Sequence, residues 1–192
     1  RLSWKENLIK TFKETSSKPP IDLHLSEKTE FLKIKVSGDI NRKYKIFYPA
    51  KTLNGKSGFR LASIIKTIQG ENILFDEGWY AKENHQYFLT NDKIFTKEII
   101  GYIRYPRKDK LFTPKNNIIT NEWYTYNLKE IEEYLGIKIN QKYFIKNMSK
   151  PTEVFLIPSE LIPTFRNNHL QYAITWFVMS FAFFVLFLVY LK

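Results

Sequence analysis

The hydrophobic pattern divides this chain into two materials. Residues 172–191 are almost wholly apolar and contain no charge, glycine or proline. Twenty residues at about 1.5 Å rise cover about 30 Å, the hydrocarbon thickness of a bilayer. Tyr172, Trp176 and Tyr190 stand near the ends of the run, where amphipathic rings favour the headgroup boundary. A domain of this length cannot enclose such a run on all sides, so the pattern predicts a C-terminal transmembrane helix over residues 167–192. Asn167 and Asn168 are N-cap candidates in front of it. His169 then falls in the first turn, and positions 169, 172, 173, 176 and 180 share one helical face.

Upstream the period changes from helical to two. Residues 31–36 alternate apolar side chains with lysine, which predicts a half-buried strand. Further strands are predicted at 44–48, 58–64, 72–80, 99–105, 123–127, 142–145 and 153–157. Turn chemistry separates them at Gly38-Asp39, Asn54-Gly55, Gly70-Glu71 and Asn116-Asn117. Residues 128–135 form the one convincing internal helix, with Gly136 placed to end it. Short strands with few helices predict a mainly β membrane protein, its domain at 17–166 an antiparallel sheet or open barrel. The opening residues 1–16 carry an amphipathic segment, with Leu8, Ile9 and Phe12 on one face, before Pro19-Pro20. Gly78-Trp79, at the end of the 72–80 strand, predicts a tight turn with glycine at positive φ.

Charge changes this picture little. The 192 residues carry a net charge of +11, but the lysines are scattered singly through strands and turns. A solvated surface beside a membrane is expected, with no nucleic-acid partner. The absence of cysteine excludes disulfides, iron–sulfur sites and thiolate metal delivery. His24, His85 and His169 lack metal-ligand spacing, and no Gly-x-Ser-x-Gly elbow, phosphate loop or dinucleotide fingerprint occurs. No enzymatic activity is expected. An imidazole at 169 above Tyr172, Ala173 and Trp176 suits a flat hydrophobic cofactor, packing against another helix, or no ligand at all.

The stretch Asn168-His169-Leu170-Gln171-Tyr172-Ala173-Ile174-Thr175-Trp176-Phe177 resembles the second-span entry of the surfeit locus protein 1 (Shy-type) family of cytochrome c oxidase assembly factors. Arg1, Trp4 and Lys5 resemble the Arg-x-x-Trp-Lys that follows that family's first span. Gly38, Gly78-Trp79, Phe112-Thr113-Pro114-Lys115-Asn116 and Trp123-Tyr124 match further motifs in order, so the resemblance covers essentially the whole chain. Three positions depart from the pattern. Glu77 stands where an arginine is usual, Tyr80-Ala81-Lys82 lacks the usual proline, and Asn127 replaces a common aspartate.

The resemblance implies two spans, the first upstream of Arg1, with the domain on the periplasmic or intermembrane-space side of a bacterial or mitochondrial inner membrane. It implies delivery or insertion of haem a into the catalytic subunit of the oxidase, with His169 as haem-iron ligand beside Tyr172 and Trp176. The partners implied are that subunit, other assembly factors and the lipid bilayer. The alternative is a membrane-held scaffold that stabilises assembly intermediates without binding haem.

Overall fold

The computed structural model describes residues 18–25, 27–107, 113–159 and 169–191. Alternation builds the first long strand, β2 (Lys33–Leu53): Ile34, Val36, Gly38 and Ile40 point inward between more exposed neighbours. The strand continues through Gly38-Asp39, so the turn expected there is absent. The two strands predicted at 31–36 and 44–48 are one, with a register shift between Asn41 and Ile46. Asn54-Gly55, both at positive φ, then closes the hairpin to β3 (Lys56–Thr67). Gly70 at φ 84 helps turn β3 into β4 (Asn72–Ala81).

β4 is the centre of the domain. Every residue from Ile73 to Ala81 is buried, because both faces of the strand are covered. It leads into a helix the sequence did not announce, α1 (His85–Thr90), whose Phe88 is fully buried. β5 (Ile94–Arg104) and β6 (Phe144–Asn147) complete the sheet, with β1 (Ile21–Asp22) beside β2. The strand order is β1-β2-β3-β4-β6-β5, and β5 also pairs with β2. The main pairings are antiparallel; β1–β2 and β4–β6 are short parallel contacts of two residue pairs each. With β4 and β6 meeting over so short a stretch, the sheet is curled but open rather than a barrel.

α2 (Leu128–Leu135) forms where expected. Asn127 accepts a hydrogen bond from the Glu130 amide at its start, and Gly136 at φ 66 ends it. Asparagine thus does the capping that an aspartate would do. Leu128 and Ile131 bury against Trp123, Ile64 and Leu74 on one face of the sheet. The opposite face packs Ile34, Ile40, Ile73 and Phe75 against Ile99 and Ile103.

Two predicted strands are not strands. Residues 123–127 follow a single bridge, Phe47 with Glu122; the Trp123 amide donates to the Phe47 carbonyl, and the Asn116 carboxamide oxygen accepts from the Tyr124 and Thr125 amides in place of a neighbouring strand. Residues 153–157 contribute a single bridge, Ile157 with Trp79. The chain's contacts divide it into two units, Arg1–Ile162 and Pro163–Lys192. In the second, α3 (His169–Tyr190) is one continuous helix, and Gln171–Tyr190 is long and apolar enough to cross a membrane. The predicted N-caps Asn167 and Asn168, and the amphipathic segment at 1–12, lie outside the described residues.

Candidate functional site

The Gly78-Trp79 motif sits at a bulge in β4, not in a turn. Leu61 faces Gly78 and Ala62 faces Asp76, which leaves Glu77 as the extra residue. Gly78 has φ 148, as its expected positive φ required, and a Cβ there would overlap the carbonyl oxygen of Ile157. The close approach serves the next residue: Trp79 donates its amide to the Ile157 carbonyl at 2.6 Å and accepts from the Ile157 amide at 2.7 Å. The indole packs over Gly58, donates to the Lys51 carbonyl at 3.2 Å, and is only 8% exposed. Trp79 is therefore a core side chain that fastens the segment leaving the domain.

The bulge also buries two consecutive carboxylates, and each has its own cations. Glu77 meets Arg42, which is 0% exposed and sits at the next inward position of β2 after Ile40. Arg42 donates to both Glu77 oxygens and, with its other edge, to both oxygens of Glu153 at 2.6 and 2.7 Å. Ser63 donates to Glu77 at 2.7 Å. Phe88 and Phe95 cover the guanidinium, their ring centres 5.5 and 5.1 Å away. Burial alone would lower the Arg42 pKa, but the hydrogen bonds it donates to Glu153 and Glu77 outweigh it and hold the group charged.

Asp76 is paired bidentately with Arg60, lies 3.0 Å from Lys146, and accepts from the Tyr126 hydroxyl at 2.8 Å. Burial would raise its pKa; Arg60 and Lys146 reverse that and hold it well below the usual carboxylate range. Arg60 also donates to the Ser159 hydroxyl, and the Ser159 amide donates to the Asn147 carbonyl at 3.0 Å. Glu153, Ile157 and Ser159 are thus all fastened to the β4 region. Nothing in the spacing of these residues foretold the arrangement. Its one sequence signal is a charge, Arg42, at an inward position of an alternating strand.

The other predicted site lies on α3. Positions 169, 172, 173, 176 and 180 fall within about 100° of helix arc at 3.6 residues per turn. Tyr172 and Trp176 are 63% and 67% exposed on this face, with Ala173 between them in sequence. By helical spacing the face carries the Tyr172 and Trp176 rings and Ala173, and position 169 falls on the same arc. His85 is elsewhere, at the start of α1, stacked on Phe59 with ring centres 4.4 Å apart and sharing a 2.9 Å hydrogen bond with the Tyr80 hydroxyl. Burial depresses its pKa, Glu122 opposes this, and Lys82 adds to it. Among the described residues no group of three or more His, Cys, Asp or Glu is arranged to hold a metal ion.

Comparison with known proteins agrees over the whole length. The family model described as the SURF1 family matches residues 1–181. A SURF1-like protein of Rickettsia conorii is 28% identical, the alignment covering 99% of this chain and 82% of the relative. A SURF1-like protein of Dictyostelium discoideum is 22% identical, covering 100% of this chain and 88% of the relative. Surfeit locus protein 1 of Homo sapiens is 23% identical, covering 95% of this chain and 67% of the relative. The relatives come from bacteria and from eukaryotes that carry mitochondria, which together with the apolar α3 fits a membrane-associated chain. It belongs to the SURF1 family, known generally as oxidase assembly factors.

Proposed function

We propose that this chain assists assembly of the terminal haem-copper oxidase at the stage where haem a is delivered to, or inserted into, the catalytic subunit. In this reading α3 spans the inner membrane of a bacterium or mitochondrion, with the sheet domain on the periplasmic or intermembrane-space side. The partners are the catalytic subunit and other assembly factors. Haem a is cargo and not a resident group. His169 supplies a neutral imidazole to the iron, and Tyr172, Ala173 and Trp176 offer an apolar wall at the water–lipid boundary.

The observation that supports this most is positional. His169 lies on the described helix, and by helical spacing the aromatic pair falls on the same face as that position, in a chain that belongs to this family. A single ligand at an open boundary suits a carrier, which must release its cargo. The domain's buried charges are absorbed in fastening its own segments, which supports a holding role and not a catalytic one.

The test is the haem-to-protein ratio of the purified full-length chain, made in cells that synthesise haem a. His169→Ala lowers that ratio and removes the Soret band if the chain is a carrier. A variant with the wild-type ratio and spectrum rejects the carrier reading. A wild-type protein that is colourless despite available haem a leaves the scaffold as the function.

A further inference from the structure

Asp76 stands in a row of side chains that crosses neighbouring strands of the sheet. Ala62 of β3 faces Asp76 of β4, Asp76 faces Lys146 of β6, and Lys146 faces Tyr102 of β5. Arg60, two positions before Ala62, reaches Asp76 from β3, and Arg104 follows Tyr102 by two positions on β5. The register therefore gathers three cations about one buried carboxylate. Arg104 has a partner of its own, Glu30 at 3.2 Å. Arg60 and Lys146, with side chains only 21% and 16% exposed, are left to share Asp76.

Asp76 cannot neutralise both. Its two oxygens already accept from Arg60 Nε and Nη2 and from the Tyr126 hydroxyl, with Lys146 Nζ at 3.0 Å. Glu77 follows it in the chain but is engaged by Arg42 and Ser63, as Glu153 is by Arg42. Among the described residues neither glutamate bonds to Arg60 or Lys146. One carboxylate against two cations leaves a positive charge over. Lys146 responds to that surplus: burial lowers its pKa, Asp76 opposes this, and Arg60 and Arg104 lower it further.

A surplus charge mostly screened from water is costly, and an oxyanion beside it removes the cost through charge-assisted hydrogen bonds. Arg60 has donors to spare for one. Its Nη1 takes part in none of its bonds to Asp76 and Ser159. The Tyr48 hydroxyl is the one buried side-chain polar atom without a partner among the described residues, so Arg60 Nη1 opens to solvent. Lys146 spends one of its three N–H groups on Asp76. We infer that this row binds a single oxyanion, the phosphate or carboxylate group of a small molecule, at the open edge of Arg60, with Lys146 supplying the unpaired charge. The inference lies wholly within the sheet domain and is independent of α3 and of haem handling.

The test melts the full chain, in uncharged detergent, in phosphate, in acetate and in chloride at equal ionic strength. Phosphate or acetate raises the melting temperature above that in chloride and does so saturably; the more effective of the two identifies the ligand group. Lys146→Met leaves Asp76 paired with Arg60 and Tyr126, and it weakens the binding about ten-fold, the loss of one charge-assisted contact. Lys146→Arg retains binding, and Lys138→Met, a change at an exposed lysine outside the row, leaves it unaltered. A second measurement needs no variant that could misfold: the Lys146 side-chain pKa of the unaltered chain, followed by NMR, rises when the anion binds. Equal melting in all three salts overturns the inference. So does a rise that survives Lys146→Met, or a Lys146 pKa indifferent to the anion.

Discussion

β4, a strand buried along nearly its whole length, and α3, a long apolar helix, solve opposite problems. β4 buries nine consecutive residues inside protein, two of them carboxylates. α3 has no charge anywhere between Leu170 and Leu191. Inside the domain a charge is tolerable because a partner can be brought from far along the chain: Glu77 to Arg42 is 35 positions, Arg42 to Glu153 is 111. In a helix long and apolar enough to cross a membrane a charge would be costly in hydrocarbon, and none occurs there. One element therefore encodes a specific three-dimensional arrangement, and the other encodes only a solvent.

The comparison breaks most sharply at Arg42. Removing one member of a buried charge set leaves the others unpaired, so Arg42→Met destabilises the domain by about 3–5 kcal/mol, read from urea unfolding. Adding Glu77→Gln and Glu153→Gln to that variant recovers much of the loss if the cost lies in orphaned carboxylates. A failure to recover points to packing around Phe88 and Phe95 instead. Gly78→Ala comes next. Positive φ and the overlap with the Ile157 carbonyl cost at least about 1–3 kcal/mol by thermal or urea melting. Trp79→Phe, which keeps the backbone bridge, loses less.

Much of the frame was legible in sequence and most of the charge arrangement was not. The alternation of β2, the Asn54-Gly55 hairpin and the Asn127-to-Gly136 helix each follow from local rules, and each formed. Gly78 was marked correctly for positive φ, but its local surroundings suggested a turn, whereas the cause is a close pass by Ile157, 79 positions on. Residues 123–127 have strand composition, yet Asn116 satisfies two of their amides through its side chain, which no periodicity records. α1 lacks a side-chain N-cap bond and is held by burial of Phe88 and stacking at His85, both tertiary effects. Arg42 was the one detectable clue: a cation continuing the inward series Ile34, Val36, Ile40.

Acidification sharpens the comparison further, because the domain buries titratable groups while residues 170–191 contain no Asp, Glu, His, Lys or Arg. His85 has a depressed pKa when folded, so the unfolded chain binds its proton first as pH falls. Stability contributed by neutral His85 is present above the unfolded value of about 6.5 and declines below it. His85→Phe therefore flattens the stability profile between about pH 7 and 5. Asp76 acts lower: its contribution is intact above about pH 4 and is lost as the pH drops further towards its depressed folded value. The smallest expected effect has the opposite sign. The Tyr48 hydroxyl is buried and has no hydrogen-bond partner among the described residues, so Tyr48→Phe leaves stability unchanged or raises it by about 1 kcal/mol.

These experiments probe the domain; the proposed role rests on the helix. The measurement that tests it most directly is the haem a content per catalytic subunit in membranes of cells whose only copy of this chain carries His169→Ala. The account predicts catalytic subunit that is made but deficient in haem a, with the variant chain itself folded and present at normal abundance. Haem a content equal to that of cells with the unaltered chain would contradict it.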